Sequence, residues 1–147
     1  QPENIDQLKQ VMMENRQLES DDEFFQPPQP LDLSLEQVGI DSQQLETAIK
    51  RIQQAIENQE QMIIFGDYDA DGVCATAILW RTLHQLGAQV NPFIPDREKH
   101  GYGLSMPALD DLLESGQPDL IITVDNGIVA HQPAQRLVDQ GVDLRII

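Results

Sequence analysis

Residues 62–77 read MIIFGDYDADGVCATA, an apolar run that empties into carboxylates at alternate positions, Asp67, Asp69 and Asp71. Met62 to Phe65 are apolar without alternation, the pattern of a strand buried on both faces. Gly72 and the Val-Cys-Ala-Thr-Ala-Ile-Leu-Trp run behind it open a helix, expected over Val73 to Leu86 and stopped by Gly87. Strand, tight acidic turn and helix make half of a βαβ unit. Carboxylates crowded this closely repel one another unless a cation sits among them, and oxygen-only ligands suit a hard divalent ion such as Mg²⁺ or Mn²⁺. The stretch therefore reads as a metal site.

Two other readings compete. An Asp-x-Asp-x-Asp-Gly run also begins an EF-hand calcium loop, but that loop needs a bidentate Glu at its twelfth position, which counted from Asp67 is Ile78. It also follows a helix, whereas here a strand-like run comes first. A solvated acidic turn with no ligand is the plainer alternative, since turns favour Asp and Gly for local reasons.

At 147 residues the chain can build one good-sized core with a smaller N-terminal appendage. No apolar run approaches the roughly eighteen residues of a membrane span, and the first thirty residues are polar and acidic. The expectation is a cytoplasmic protein without a membrane partner. A single cysteine, Cys74, excludes an internal disulfide and a cysteine-based zinc site, and its place on the helix after the acidic turn suggests a small core residue. The formal charge of −16 argues against a stand-alone non-specific DNA-binding domain. Part of that charge is the acidic cluster itself, and much of the rest lies in the first sixty residues, so it says little about the active face.

Ile5, Leu8, Val11, Met12 and Leu18 fall at helical spacing near the start, giving an N-terminal helical extension. Residues 21–32, DDEFFQPPQPLD, form an acidic, proline-rich linker that Phe24, Phe25 and Leu31 should tether to the core. Residues 1–40 are thus read as helix plus linker and 41–147 as the main domain. A helix follows from Asp41 to Asn58, with Asp41 and Gln44 resembling a capping box and Leu45, Ala48, Ile49, Ile52, Ala55 and Ile56 on its apolar face. Strands are expected at 62–65, 89–94, 120–124 and 142–147, with helices after Ser105 and over 130–140. Between Pro95 and Ser105 lies the chain's basic cluster, Arg97, Lys99 and His100, in what reads as a connecting loop that could hold a phosphate. Glycine fingerprints of dinucleotide and P-loop sites are absent.

Strands alternating with helices imply an α/β fold, a doubly wound parallel sheet with right-handed crossovers. Ligands in such sheets bind at the carboxyl ends of the strands where the order reverses, which in a 2-1-3-4 order lies between the first and third strands. Both of those strands end in aspartates: Asp69 and Asp71 after the first, Asp125 after the third. They can meet although more than fifty residues separate them.

GDYDADGVCATAIL, FIPDREKHGYGLS and LIITVDNGI, in this order, resemble the DHH phosphoesterase superfamily, and most closely its RecJ branch of single-strand-specific DNA exonucleases. The resemblance covers roughly residues 45–147. It implies a site for two Mn²⁺ or Mg²⁺ ions, with Asp69, Asp71 and Asp125 as catalytic metal ligands and Asp67 as a further candidate. It also implies hydrolysis of single-stranded DNA from the 5′ end in recombination and repair, with other repair or replication proteins as further partners. Two departures stand out: Phe65 occupies a position where many superfamily members carry a ligand histidine, and the Asp-His-His motif expected just after residues 144–147 is missing. The implied protein is a truncated, inactive N-terminal portion of a larger enzyme. Within the same chemistry the alternative is a phosphoesterase for short oligonucleotides, phosphorylated nucleotides or pyrophosphate. Outside it, the alternative is a non-catalytic interaction module, against which the retained, mutually repelling aspartates argue.

Overall fold

A computed structural model describes residues 4–18, 22–25 and 27–147, and the chain divides into two compact units, Gln1–Leu45 and Glu46–Ile147. In the first unit, α1 spans Ile5–Arg16, capped by Asn4, whose side chain accepts a hydrogen bond from Gln7 N. A short helix α2, Asp22–Phe25, carries two rings in edge-to-face contact, with Lys9 over Phe25 and Arg16 over Phe24. These phenylalanines engage α1, within their own unit. Leu31, expected to tether the linker, is instead 98% exposed: it sits in a single 3₁₀ turn, Pro30–Asp32, too short to present a buried face.

The larger unit is built on a four-stranded parallel sheet in the order β2-β1-β3-β4, where β1 is Gln61–Phe65, β2 Gln89–Phe93, β3 Leu120–Thr123 and β4 Asp143–Ile146. The predicted doubly wound order is the observed one. Alternate side chains of β1 and β3 feed two separate cores, as the period of two requires. Met62, Ile64, Leu120 and Ile122 face α3 (Ser42–Glu57) and α4 (Ala70–Gln85), packing with Ala55, Leu83, Ile52 and Leu79. Phe65 and Ile121 face the other way, onto Leu109 and Leu112 of α6 (Met106–Glu114) and Leu137 of α7 (His131–Asp139). Burial on both faces is why the sequence of β1 shows no alternation.

Local signals place most helix ends. Asp41 Oδ1 accepts from Gln43 N and Gln44 N ahead of α3, and Ser105 caps α6 by accepting from Ala108 N, with Pro107 in the first turn. Three details differ from the reading of the sequence. Helix α4 begins at Ala70, because Asp69 serves as its cap, so Asp71 lies inside the first turn. Cys74 is exposed: the inward flank of α4 is Gly72, Ala75, Thr76, Leu79 and Leu83, and Cys74 lies nearly half a turn away from its centre. Residues 97–100 wind into one helical turn, α5 (Arg97–His100), where a loop was expected. Among the described residues no helix is long and apolar enough to cross a membrane.

Candidate metal centre

The register of the sheet carries the aspartates together. Phe65 of β1 pairs with Thr123 of β3, so two residues beyond each strand Asp67 and Asp125 lie level at the carboxyl edge. Phe65 O holds the crossing closed by accepting both Val124 N (3.0 Å) and Asn126 Nδ2 (3.3 Å). Asp125 then turns with φ of 61°, a left-handed conformation that Asp and Asn tolerate better than other non-glycine residues.

On the β1 side, Asp67 is buried, its Oδ1 accepting from Tyr68 N at 2.7 Å. Asp69 Oδ1 accepts from Gly72 N at 2.9 Å, closing the first turn of α4. Carboxylates at Asp69 and Asp71 therefore sit at the positive end of a sixteen-residue helix, which offsets part of their mutual repulsion. Gly72 is indispensable to this packing, since a Cβ there would lie 2.6 Å from Asp67 Cβ and 2.7 Å from both its backbone N and O.

Asp125 feels the whole cluster. Its carboxyl is held above the usual carboxylate range by desolvation at the strand end, then by the charges of Asp69, Asp71 and Asp67, and by a hydrogen bond with Asp69 that exists only while one of the pair is protonated. Asp71 and Asp125 also share the lining of one open cavity of about 570 Å³, together with Leu79, Thr82 and Val124. Four carboxylates with no thiolate or imidazole between them form a donor set of the kind hard divalent ions take. Among the described residues, however, no three His, Cys, Asp or Glu side chains are gathered closely enough to enclose one ion, so the fit is one of donor chemistry and not of a finished cage.

The raised carboxyl has a consequence for the metal-free protein. A group whose folded pKa exceeds its unfolded value contributes stability that is present at low pH and lost as pH rises through the folded pKa. Asp125→Asn should therefore melt higher than the unmodified chain in chelator at neutral pH, and the gap should narrow as the pH is lowered through the acid range and Asp125 takes up its proton. Thermal denaturation across that range checks it; a lower melting temperature for the variant at neutral pH would show that Asp125 is not under electrostatic stress.

The basic segment lies beside this cluster. Asp96 caps α5, accepting from Glu98 N and Lys99 N, bonds that hold its carboxyl below the usual range. The Arg97 guanidinium stands 5.3 Å over the Tyr68 ring, and Lys99 is exposed. Tyr102, past Gly101, makes an edge-to-face contact with Tyr68, and its hydroxyl is pushed above the ordinary phenol value, first by the Asp67 charge, then by desolvation and by Asp125 and Asp69. Tyr68 and Tyr102 were missed as site residues; the signal was an aromatic inside the acidic turn and another between two glycines. His100, grouped with Arg97 and Lys99 as a phosphate contact, is buried with both ring nitrogens engaged inside the protein, Nδ1 accepting from Asp96 N at 2.8 Å and Nε2 lying 3.2 Å from Asp111 Oδ2. It is not presented to a ligand.

The "Single-stranded-DNA-specific exonuclease RecJ" of Bacillus subtilis (strain 168) is 47% identical over 102 residues, 69% of this chain and 13% of that protein. The protein of the same name from Thermus thermophilus is 42% identical over 100 residues, 68% of this chain and 15% of that protein. The chain thus spans about a seventh of the length of the relatives it matches. Among solved structures, an exonuclease RecJ bound to manganese superposes with a TM-score of 0.63 at 41% identity, covering 69% of this chain and 26% of that one. RecJ from Thermus thermophilus in complex with Mn²⁺ superposes at 0.59 and 31% identity, covering 95% and 18%. Residues 61–147, from the first strand of the sheet to the last residue of the chain, match the DHH family, N-terminal domain, and the chain belongs to the DHH family.

Proposed function

We propose that this chain is the metal-carrying portion of a single-strand-specific DNA exonuclease that hydrolyses phosphodiester bonds from the 5′ end in recombination and repair, in the cytoplasm. The observation that carries the reading is the pairing of Phe65 with Thr123, with Val124 N on Phe65 O, and the cavity lined by both Asp71 and Asp125; it supports one acidic site drawn from two strand ends far apart in sequence. The names and bound manganese of the matched relatives support it. Asp69, Asp71 and Asp125 are proposed to hold Mn²⁺ or Mg²⁺, with Asp67 lending charge from its buried position. When bound, these ions supply an activated water and stabilise negative charge on the phosphoryl group and leaving oxygen. The chain's own residues bind and orient: carboxylates fix the ions, while Arg97 and Lys99 meet the phosphates of the strand and compensate for the acidic surroundings. No side chain is needed as general base.

The test is a chimera in which residues 46–147 replace the matched segment of the Bacillus subtilis relative. It should digest a single-stranded oligonucleotide in Mn²⁺ from the 5′ end and leave the blunt duplex of the same sequence intact. Release of phosphate from mononucleotides or pyrophosphate, with the oligonucleotide untouched, would transfer the reading to a small-substrate phosphoesterase.

A further inference from the structure

We infer that His100 is a positioning residue, which holds the one-turn helix α5 in place and through it the Arg97 guanidinium over Tyr68 at the acidic site. The inference rests on the proposed reading of Arg97 as a phosphate contact.

A helix of four residues cannot hold itself, because its nucleation cost is spread over almost no hydrogen bonds. Within α5 and its cap these are the backbone bonds His100 N to Asp96 O at 2.8 Å and Gly101 N to Arg97 O at 3.2 Å, besides the two bonds that the Asp96 carboxylate accepts from Glu98 N and Lys99 N, all of them internal to the turn. The chain then passes through Gly101 and Gly103, at φ of 75° and 63°, which gives no stiffness from that side. Anchorage must come from elsewhere, and His100 is the buried residue of α5. Since Nδ1 accepts the Asp96 N–H, the neutral ring carries its proton on Nε2, facing Asp111 of α6. Its ring lies 6.0 Å from that of Phe93, which is stacked on Phe65 at the end of β1. Its carbonyl accepts the Ser105 hydroxyl at 2.6 Å, and Ser105 is the cap of α6. One side chain and its carbonyl thus tie α5 to the start of its own turn, to β2 and to α6. Arg97, by contrast, is exposed, and its guanidinium lies over the Tyr68 ring. Its place follows from where α5 is held.

The test reads Arg97 directly, by NMR of the 147-residue chain. Stacked on Tyr68, the Arg97 side-chain protons should be shifted upfield by the ring current. His100→Phe keeps a buried ring but loses both nitrogen contacts, and Asp111→Ala removes the Nε2 partner from an exposed position where folding is not at risk. Both should move the Arg97 signals toward their random-coil positions while the sheet amides stay put. Unchanged Arg97 signals in the folded Asp111→Ala and His100→Phe chains would overturn the inference. A binding cycle separates positioning from general support of the fold. If the chain binds a 5′-phosphorylated single-stranded oligonucleotide, His100→Phe and Arg97→Ala should each weaken it about tenfold, the loss of one charged hydrogen bond, and the double variant should be no weaker than Arg97→Ala. Additive losses would overturn the positioning role. An unmodified chain that binds no oligonucleotide, yet whose Arg97 signals depend on His100, would sink the phosphate reading and leave the positioning intact.

Discussion

Gly72→Ala is expected to be severely damaging, because the clash it creates is with the main chain of the acidic turn. In an ordinary helix the added methyl would stabilise by up to about 1 kcal/mol. Here it would stand 2.6–2.7 Å from Asp67 Cβ, N and O, and the backbone of the turn cannot swing aside as a long side chain could. Overpacking of this kind costs about 1–3 kcal/mol when side chains can yield, and a main-chain clash belongs at or above the upper end. The clash therefore outweighs the propensity gain by a wide margin, against a total stability of about 5–15 kcal/mol for a domain. Denaturant melts should show the midpoint falling by a large fraction. Asp67 would be displaced at the same time, so any metal affinity should fall even under conditions where the variant is folded. A variant as stable as the unmodified chain would mean that the turn from 66 to 72 is looser than its packing indicates.

The second large effect concerns the carboxylates themselves. In the chimera carrying residues 46–147, Asp71→Ala or Asp125→Ala should lower Mn²⁺-dependent digestion by well over the roughly 10–100-fold that loss of a mere supporting partner costs. Binding of the single strand should be unchanged or tighter, because each substitution also removes a negative charge that repels phosphate. Both variants matter, since they come from different strand ends. If Asp71→Ala silences the enzyme and Asp125→Ala leaves it active, the two strand ends do not serve one site, and the electrostatic coupling between them has no catalytic meaning. Equal losses of turnover and of strand binding would instead place these residues in substrate contact.

Much of the fold is legible in the chain because its signals are short-range. The cap at Asp41, the Ser105-x-Pro107 start of α6 and the glycine after α4 act through hydrogen bonds and backbone preferences within one turn, so neighbouring residues reveal them. Strand order was reachable too, since right-handed crossovers and the switch-point rule leave few topologies for this alternation. From that order came the expectation that Asp69, Asp71 and Asp125 serve one edge of the sheet.

Which flank of an element is buried is another matter, because it depends on residues that arrive from far along the chain. Cys74 sits in an apolar run and could have faced inward; the cap at Asp69 sets the start of α4, and packing against β1 and β2 turns Gly72, Ala75, Thr76 and Leu79 to the sheet and leaves Cys74 outside. Leu31 is apolar and exposed because no sheet or helix covers a three-residue turn. His100 is the clearest case. Beside Arg97 and Lys99 it reads as one more cation, yet Asp111, eleven residues on, and the Asp96 N–H claim both its nitrogens and make it part of the scaffold. Local chemistry wrote the elements and their order, while the choice between a residue that faces a ligand and one that holds the wall behind it was made only when the elements packed, since burial and long-range pairing are properties of the assembled sheet and not of any window of sequence.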